Sequence, residues 1–112
     1  MVDEKPVWRE VAKVSDVIAS DPLEVAVGPM AIILIRLADG IVAYQGTCPH
    51  QSALLGGGSV IDGWLRCPQH RAMFRLADGV CGKGWELPAL RRYALRIDAG
   101  AIFLSDPPTI MD

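Results

Sequence analysis

Apolar and polar positions alternate along much of this chain in short runs, and the runs are divided by Asp-Gly and Gly-Pro pairs. Val7 to Val11 (Val-Trp-Arg-Glu-Val) has the near period of two expected of a half-buried strand. Ser15-Asp16-Val17-Ile18 predicts a short helical turn capped by Ser15 and stopped by Asp21-Pro22. Leu23 to Val27 reads as a second strand, closed by Gly28-Pro29. Met30 to Leu37 is almost continuously apolar and rich in isoleucine, the pattern of a strand buried on both faces. Asp39-Gly40 is a hairpin signal, after which Ile41 to Gln45 returns as the fourth strand. Past residue 58, Val60-Ile61 and Trp64-Leu65-Arg66 flank an Asp62-Gly63 turn, and Met73 to Leu76 runs to a further turn at Asp78-Gly79. Gly82 and Gly84 mark an irregular loop that carries Trp85. Tyr93 to Ile97 and Ile102 to Leu104 enclose a last hairpin, and the tail from Asp106 reads as irregular.

Short strands, repeated turn pairs and almost no helical period predict an all-β sandwich or barrel. With 112 residues and neither an internal repeat nor a linker, the chain is expected to form one domain over 1–112. Composition narrows the partners. The formal charge is −2 with a sequence pI of 5.6 and no basic run, which argues against a nucleic-acid partner. The longest apolar stretch, Met30 to Ile35, falls far short of a membrane span. The polar start Met-Val-Asp-Glu-Lys-Pro lacks the apolar core of a secretion signal. Three cysteines are an odd number, so a disulfide framework is not expected and a cytoplasmic location fits.

The chemistry lies in two short segments. Cys48-Pro49-His50 and Cys67-Pro68-Gln69-His70 are separated by sixteen residues, Gln51 to Arg66. They hold both histidines and two of the three cysteines, in the pattern C-x-H, x16, C-x-x-H. Thiolate is a soft ligand and imidazole a borderline one, so two of each suit zinc or an iron–sulfur cluster. Structural zinc sites more often pair like ligands within each knuckle, whereas here each loop is mixed. A [2Fe–2S] cluster has two irons, one able to take both thiolates and the other both imidazoles. The glycine run Gly56-Gly57-Gly58 between the segments suits a tight bend.

At these residues the sequence resembles Rieske [2Fe–2S] proteins, whose signature is C-x-H…C-x-x-H with a similar gap. Leu55, Gly58, Pro68, Phe74 and Gly79 also fall at the family's spacings. The resemblance implies a Rieske-type β-sandwich or barrel with a small cluster-binding subdomain of two loops, at about residues 46–84. It further implies Cys48 and Cys67 on a buried iron, with His50 and His70 on an outer iron near the surface.

Departures from the family pattern carry information. The high-potential respiratory members brace the cluster with a disulfide, and the matching positions here hold Ala53 and Gln69. Those members also offer a serine and a tyrosine hydroxyl to the cluster sulfurs, where this chain has Ala72 and Phe74. Fewer hydrogen bonds to sulfur lower the potential, so the low end of the range is expected, roughly −150 mV rather than about +300 mV. Arg71, next to His70, would raise the potential or face a partner.

Other singular residues have plainer readings. Cys81 reads as a partly buried thiol, Trp8 and Trp64 as core, and Arg91-Arg92 as a solvated strand start. By the resemblance Trp85 flanks the cluster, as shield, docking surface or simple packing.

The nearest resemblance is to the small ferredoxins of bacterial aromatic-ring oxygenase systems. It implies a soluble one-electron carrier, not itself an enzyme, that takes electrons from a flavin-dependent reductase and passes them to a terminal oxygenase. His50 and His70 would then be the electron's doorway, rimmed by Pro49, Gln51, Gln69 and Trp85. Two alternatives stay open: the Rieske-like small subunit of another reductase, such as an assimilatory nitrite reductase, or a zinc-stabilised, redox-silent interaction module. The chain has no G-x-G-x-x-G element and no second iron motif that would make it a complete oxidoreductase.

Overall fold

The computed structural model describes residues 7–49, 54–68, 72–84 and 86–111. Ten strands follow one another: β1 (Val7–Lys13), β2 (Leu23–Val27), β3 (Met30–Leu37), β4 (Gly40–Gln45), β5 (Ser59–Ile61), β6 (Trp64–Arg66), β7 (Met73–Arg75), β8 (Arg92–Tyr93), β9 (Leu95–Asp98) and β10 (Ala101–Asp106). They form three antiparallel sheets with orders β1-β10-β9, β2-β3-β4-β8 and β5-β6-β7. Two 3-10 turns, Val14–Asp16 and Leu55–Gly57, are the helical elements among the described residues. The all-β class expected from the sequence is what the chain adopts.

The four-stranded sheet is the middle of the molecule, and the alternation in β3 and β4 shows why. Ile33, Ile35, Val42 and Tyr44 enter a buried cluster with Leu65, Phe74 and both Cys48 and Cys67. The intervening Ile32, Leu34 and Ala43 enter a second cluster with Val27, Tyr93, Ile102 and Leu104. Ile32 to Ile35 are buried without a break. A strand covered on both sides needs apolar residues at every position, which is the run read in the sequence.

Local chemistry sets the remaining elements. Asp62 (φ 49°) and Gly63 (φ 81°) both take left-handed conformations between the paired residues Ile61 and Trp64. Two such residues make the tight turn whose twist matches a hairpin. In the β3–β4 hairpin Leu37 pairs with Gly40, so Ala38 and Asp39 form the turn, one residue earlier than Asp39-Gly40 predicts.

Several expectations need correction. Ser15 does not cap the first 3-10 turn; the Asp16 carboxylate reaches back and accepts from the Lys13 amide at 2.9 Å. The predicted strand Tyr93 to Ile97 is two strands in two sheets, β8 and β9. Ala94 between them donates its amide to Thr109 at 2.8 Å. The tail is tied down as well, with Ile110 bridged to Tyr93 and the Met111 amide donating to Arg92. Trp8 and Trp64 are half-buried rather than core, and the Arg96 guanidinium lies 4.1 Å from the centre of the Trp8 ring. Arg91 is solvent-exposed as expected, but Arg92 is half-buried.

Candidate metal centre

Each cysteine segment is a loop pinned at its base by backbone pairing. The chain leaves β4 through Gly46, whose amide donates to Ala31 at 2.8 Å. It is pinned again by the Thr47–Leu54 bridge and by the Leu55 amide donating to Gly46 at 2.7 Å. Cys48 and Pro49 thus leave a closed base. The second loop extends the β6–β7 hairpin, because the Cys67 amide donates to the Ala72 carbonyl at 2.8 Å, one step beyond the Arg66–Met73 pair.

The two bases are in contact. A Cβ on Gly58 would lie 2.3 Å from the carbonyl oxygen of Arg66, the residue before Cys67. Only glycine permits that approach. The sequence reading assigned the Gly56–Gly58 run to bending, and Gly58 is needed for proximity: it lets the chain beyond the first loop lie on the strand that enters the second.

Cys48 is 2% exposed and Cys67 fully buried, in a shared cluster with Leu55, Leu65, Ala72 and Phe74. Two soft sulfur donors thus share one core from which water is excluded. Thiolates in such a setting carry a heavy desolvation cost unless their charge is neutralised, which a bound metal does. The donor set therefore fits an iron–sulfur group on the cysteine side. His50 and His70, the other two expected ligands, lie outside the described residues, as do Gln51, Ala53, Gln69, Arg71 and Trp85. Among the described residues no set of three or more His, Cys, Asp or Glu side chains gathers as a metal site.

Beneath the loops, a polar frame holds the geometry. The Tyr44 hydroxyl donates to the Leu76 carbonyl at 2.7 Å, and burial pushes its ionisation above the ordinary value of 10.0. Arg75 pairs with Asp78 through two hydrogen bonds, of 3.0 and 2.5 Å, and Asp78 also accepts from the Val80 amide at 3.1 Å. The Arg75 guanidinium holds the Asp78 carboxyl below its ordinary 3.8, with the Val80 amide adding to the effect. This turn directs residues 80–82 back along β7, where Cys81 is bridged to Phe74 and half-buried against the cysteine-bearing cluster.

Gln45 is a residue the sequence reading passed over as a strand end. Its side-chain amide donates to the Thr47 carbonyl at 2.7 Å and accepts from the Arg91 amide at 2.8 Å. Its backbone amide donates to the Arg91 carbonyl at 2.9 Å. One side chain thus ties the base of the first loop to the segment that returns after residue 85. A polar residue at the last position of a strand is too common a feature to have singled it out.

Comparison with known proteins is consistent with this geometry. Residues 7–94 match the Rieske [2Fe-2S] domain. The anthranilate 1,2-dioxygenase ferredoxin subunit of Burkholderia cepacia is 25% identical over 95 residues, covering 85% of this chain and 88% of that protein. Against longer relatives, such as the chloroplastic protein TIC 55 of Arabidopsis thaliana, the chain spans only 15% of the length, at 34% identity over 83 residues. Among solved structures, a chain in the complex of reduced oxygenase and oxidized ferredoxin in carbazole 1,9a-dioxygenase superposes with a TM-score of 0.79. It is 22% identical, with 90% of this chain and 94% of that one covered. A chain from Mycobacterium tuberculosis assigned as the small subunit of an NADH-dependent nitrite reductase gives a TM-score of 0.75 at 22% identity, covering 91% and 96%. Among the described residues no helix is long and apolar enough to cross a membrane.

Proposed function

Since the chain belongs to the Rieske [2Fe–2S] domain family and one such cluster is its cofactor, we propose that it is a one-electron carrier that serves an oxygenase. The observation that carries this reading is the pair of buried cysteines at the touching bases of two loops, inside the matched domain. In this reading Cys48 and Cys67 hold one iron, and His50 and His70 the other. The cluster-binding subdomain extends over about 46–84 of a single domain covering 1–112. Bound there, the cluster supplies a one-electron couple. The chain's own residues exclude water from the sulfurs and fix the two loops against each other.

Electrons would come from a flavin-dependent, NAD(P)H-oxidising reductase and go to a terminal aromatic-ring oxygenase. The ferredoxin subunit of the anthranilate system supports this assignment, being matched over nearly its whole length. A cytoplasmic setting suits thiols committed to iron. A second reading, the small subunit of a nitrite reductase, rests on the fold shared with the mycobacterial chain. Reduction of the purified protein by an oxygenase-system reductase, against co-purification with a large reductase subunit, separates the two.

The test of the centre is EPR of the dithionite-reduced protein, with iron and sulfide analysis. A rhombic signal of low average g, with about two irons and two sulfides per chain, is expected. A silent spectrum with zinc bound would overturn the carrier reading. Replacing His70 by Cys should change the optical and EPR spectra; unchanged spectra would remove His70 from the ligand set.

A further inference from the structure

The chain as a whole is acidic, but its charge is unevenly placed. Residues 46–91, which contain both cysteine loops, have five cationic and three anionic side chains, against six and ten in the remainder. Two carboxylates from outside the segment lie beside it: Glu24 packs against Gly56, and Asp21 follows Ser20, whose carbonyl accepts from the Val60 amide at 3.2 Å.

What gives these charges a use is the position of two of the cations. Arg91 lines a groove of about 380 Å³ together with Thr47 and Pro49 of the first loop. Arg66 lines a depression with Cys67 and Pro68 of the second. No carboxylate lines either hollow. Neither arginine has an ion-pair partner among the described residues, in contrast to Arg9 and Arg75, which are paired with Asp106 and Asp78. Arg91 is exposed, and Lys83 is a further exposed cation on the groove beside Cys81.

We propose that Arg66 and Arg91, one beside each cysteine loop, form a docking surface for a protein redox partner whose own electron-transfer edge is rimmed by carboxylates. The inference rests on the carrier function proposed above and adds the charge of the partner. An electron carrier meets its partners briefly through a small interface. Opposite charge then raises the encounter rate and orients the collision more than it tightens the complex.

The probes are two haem proteins of opposite edge charge: the soluble domain of cytochrome b5, which is acidic around its haem, and cytochrome c, which is basic. Stopped-flow rates of their reduction by the reduced, cluster-loaded full chain are measured from about 0.01 M to about 1 M ionic strength, where the screening length falls from ~30 Å to ~3 Å. The cytochrome b5 rate is expected to fall by about tenfold or more with salt, and the cytochrome c rate to rise. Arg91→Glu should lower the low-salt cytochrome b5 rate and flatten its salt dependence. Its side chain is exposed and its backbone bonds to Gln45 survive the change, and the variant's potential is measured alongside to correct for driving force. Arg66→Gln provides the same test at the second loop. A cytochrome b5 rate that ignores salt or rises with it overturns the proposal, and so do substitutions that leave the rates unchanged. If those rates ignore salt and the protein instead sediments with anionic phospholipid vesicles, the two arginines serve lipid headgroups and the proposal falls. Loss of the rhombic signal in the unaltered protein would end the carrier reading itself, a failure distinct from any of these.

Discussion

Gly58 is the position with the least tolerance near the centre. A methyl group there meets the Arg66 carbonyl, which is fixed in the β5–β6 ladder. Gly58→Ala should therefore cost about 1–3 kcal/mol of overpacking and push the two loop bases apart. Chemical denaturation reads the stability loss, and the iron content of the purified variant reads the misalignment. Ala72 and Phe74 shape a different property. Both are fully buried and neither has a hydroxyl, so these two side chains offer no donor to the cluster sulfurs. A midpoint near the low end of the Rieske range, roughly −150 mV, is expected by potentiometry, and Ala72→Ser should move it upward. Tyr44 sets an alkaline limit. Its folded-state pKa is raised by burial, so its contribution is complete below its unfolded value of 10.0 and is lost as pH climbs through the higher folded value. Tyr44→Phe leaves the Leu76 carbonyl without its partner, at a cost of about 1–3 kcal/mol, and should flatten this alkaline loss in pH-dependent unfolding.

At the scale of elements, the clamp built on Gln45 is the most direct test of how the first loop is held. Gln45→Met keeps the shape and removes both side-chain bonds, and about 1 kcal/mol of stability should go with them. Faster hydrogen exchange at Thr47 and Leu55, with β2 and β3 unchanged, is the expected pattern. The elements also show where sequence was a sufficient guide. β2 and β3 lie where the apolar runs lie, because both are bounded by turn residues and β3 is covered on each face. The cysteine spacing led to two segments whose thiols share one buried cluster, because residue type is visible in a sequence. Tyr93 to Ile97 misled, because a strand that changes sheets keeps the same alternation on both sides of the change, and the event at Ala94 is a backbone bond to a distant threonine. Gln45 and the Gly58 contact were illegible for the same reason. Each depends on which backbone comes near, and side-chain type encodes that only through the finished fold.

Across the whole molecule, the metal and the fold should be coupled. Both cysteines sit in the cluster that also takes Ile33, Ile35, Val42 and Tyr44 from the middle sheet. Iron bound by the folded chain and not by the unfolded one adds its binding free energy to stability. Chelating the iron should lower the thermal midpoint, and reconstitution should restore it. The two-faced middle sheet extends this effect beyond the loops. Ile32 and Leu34, which support the terminal strands β1, β9 and β10, alternate along one backbone with Ile33 and Ile35, which support the two cysteines. Loosening one side of that backbone slackens the other. A chain that has not taken up iron should thus be cut by a protease at its termini as well as in its loops. Incomplete molecules would mark themselves for turnover, far from the missing metal, with no separate sensor.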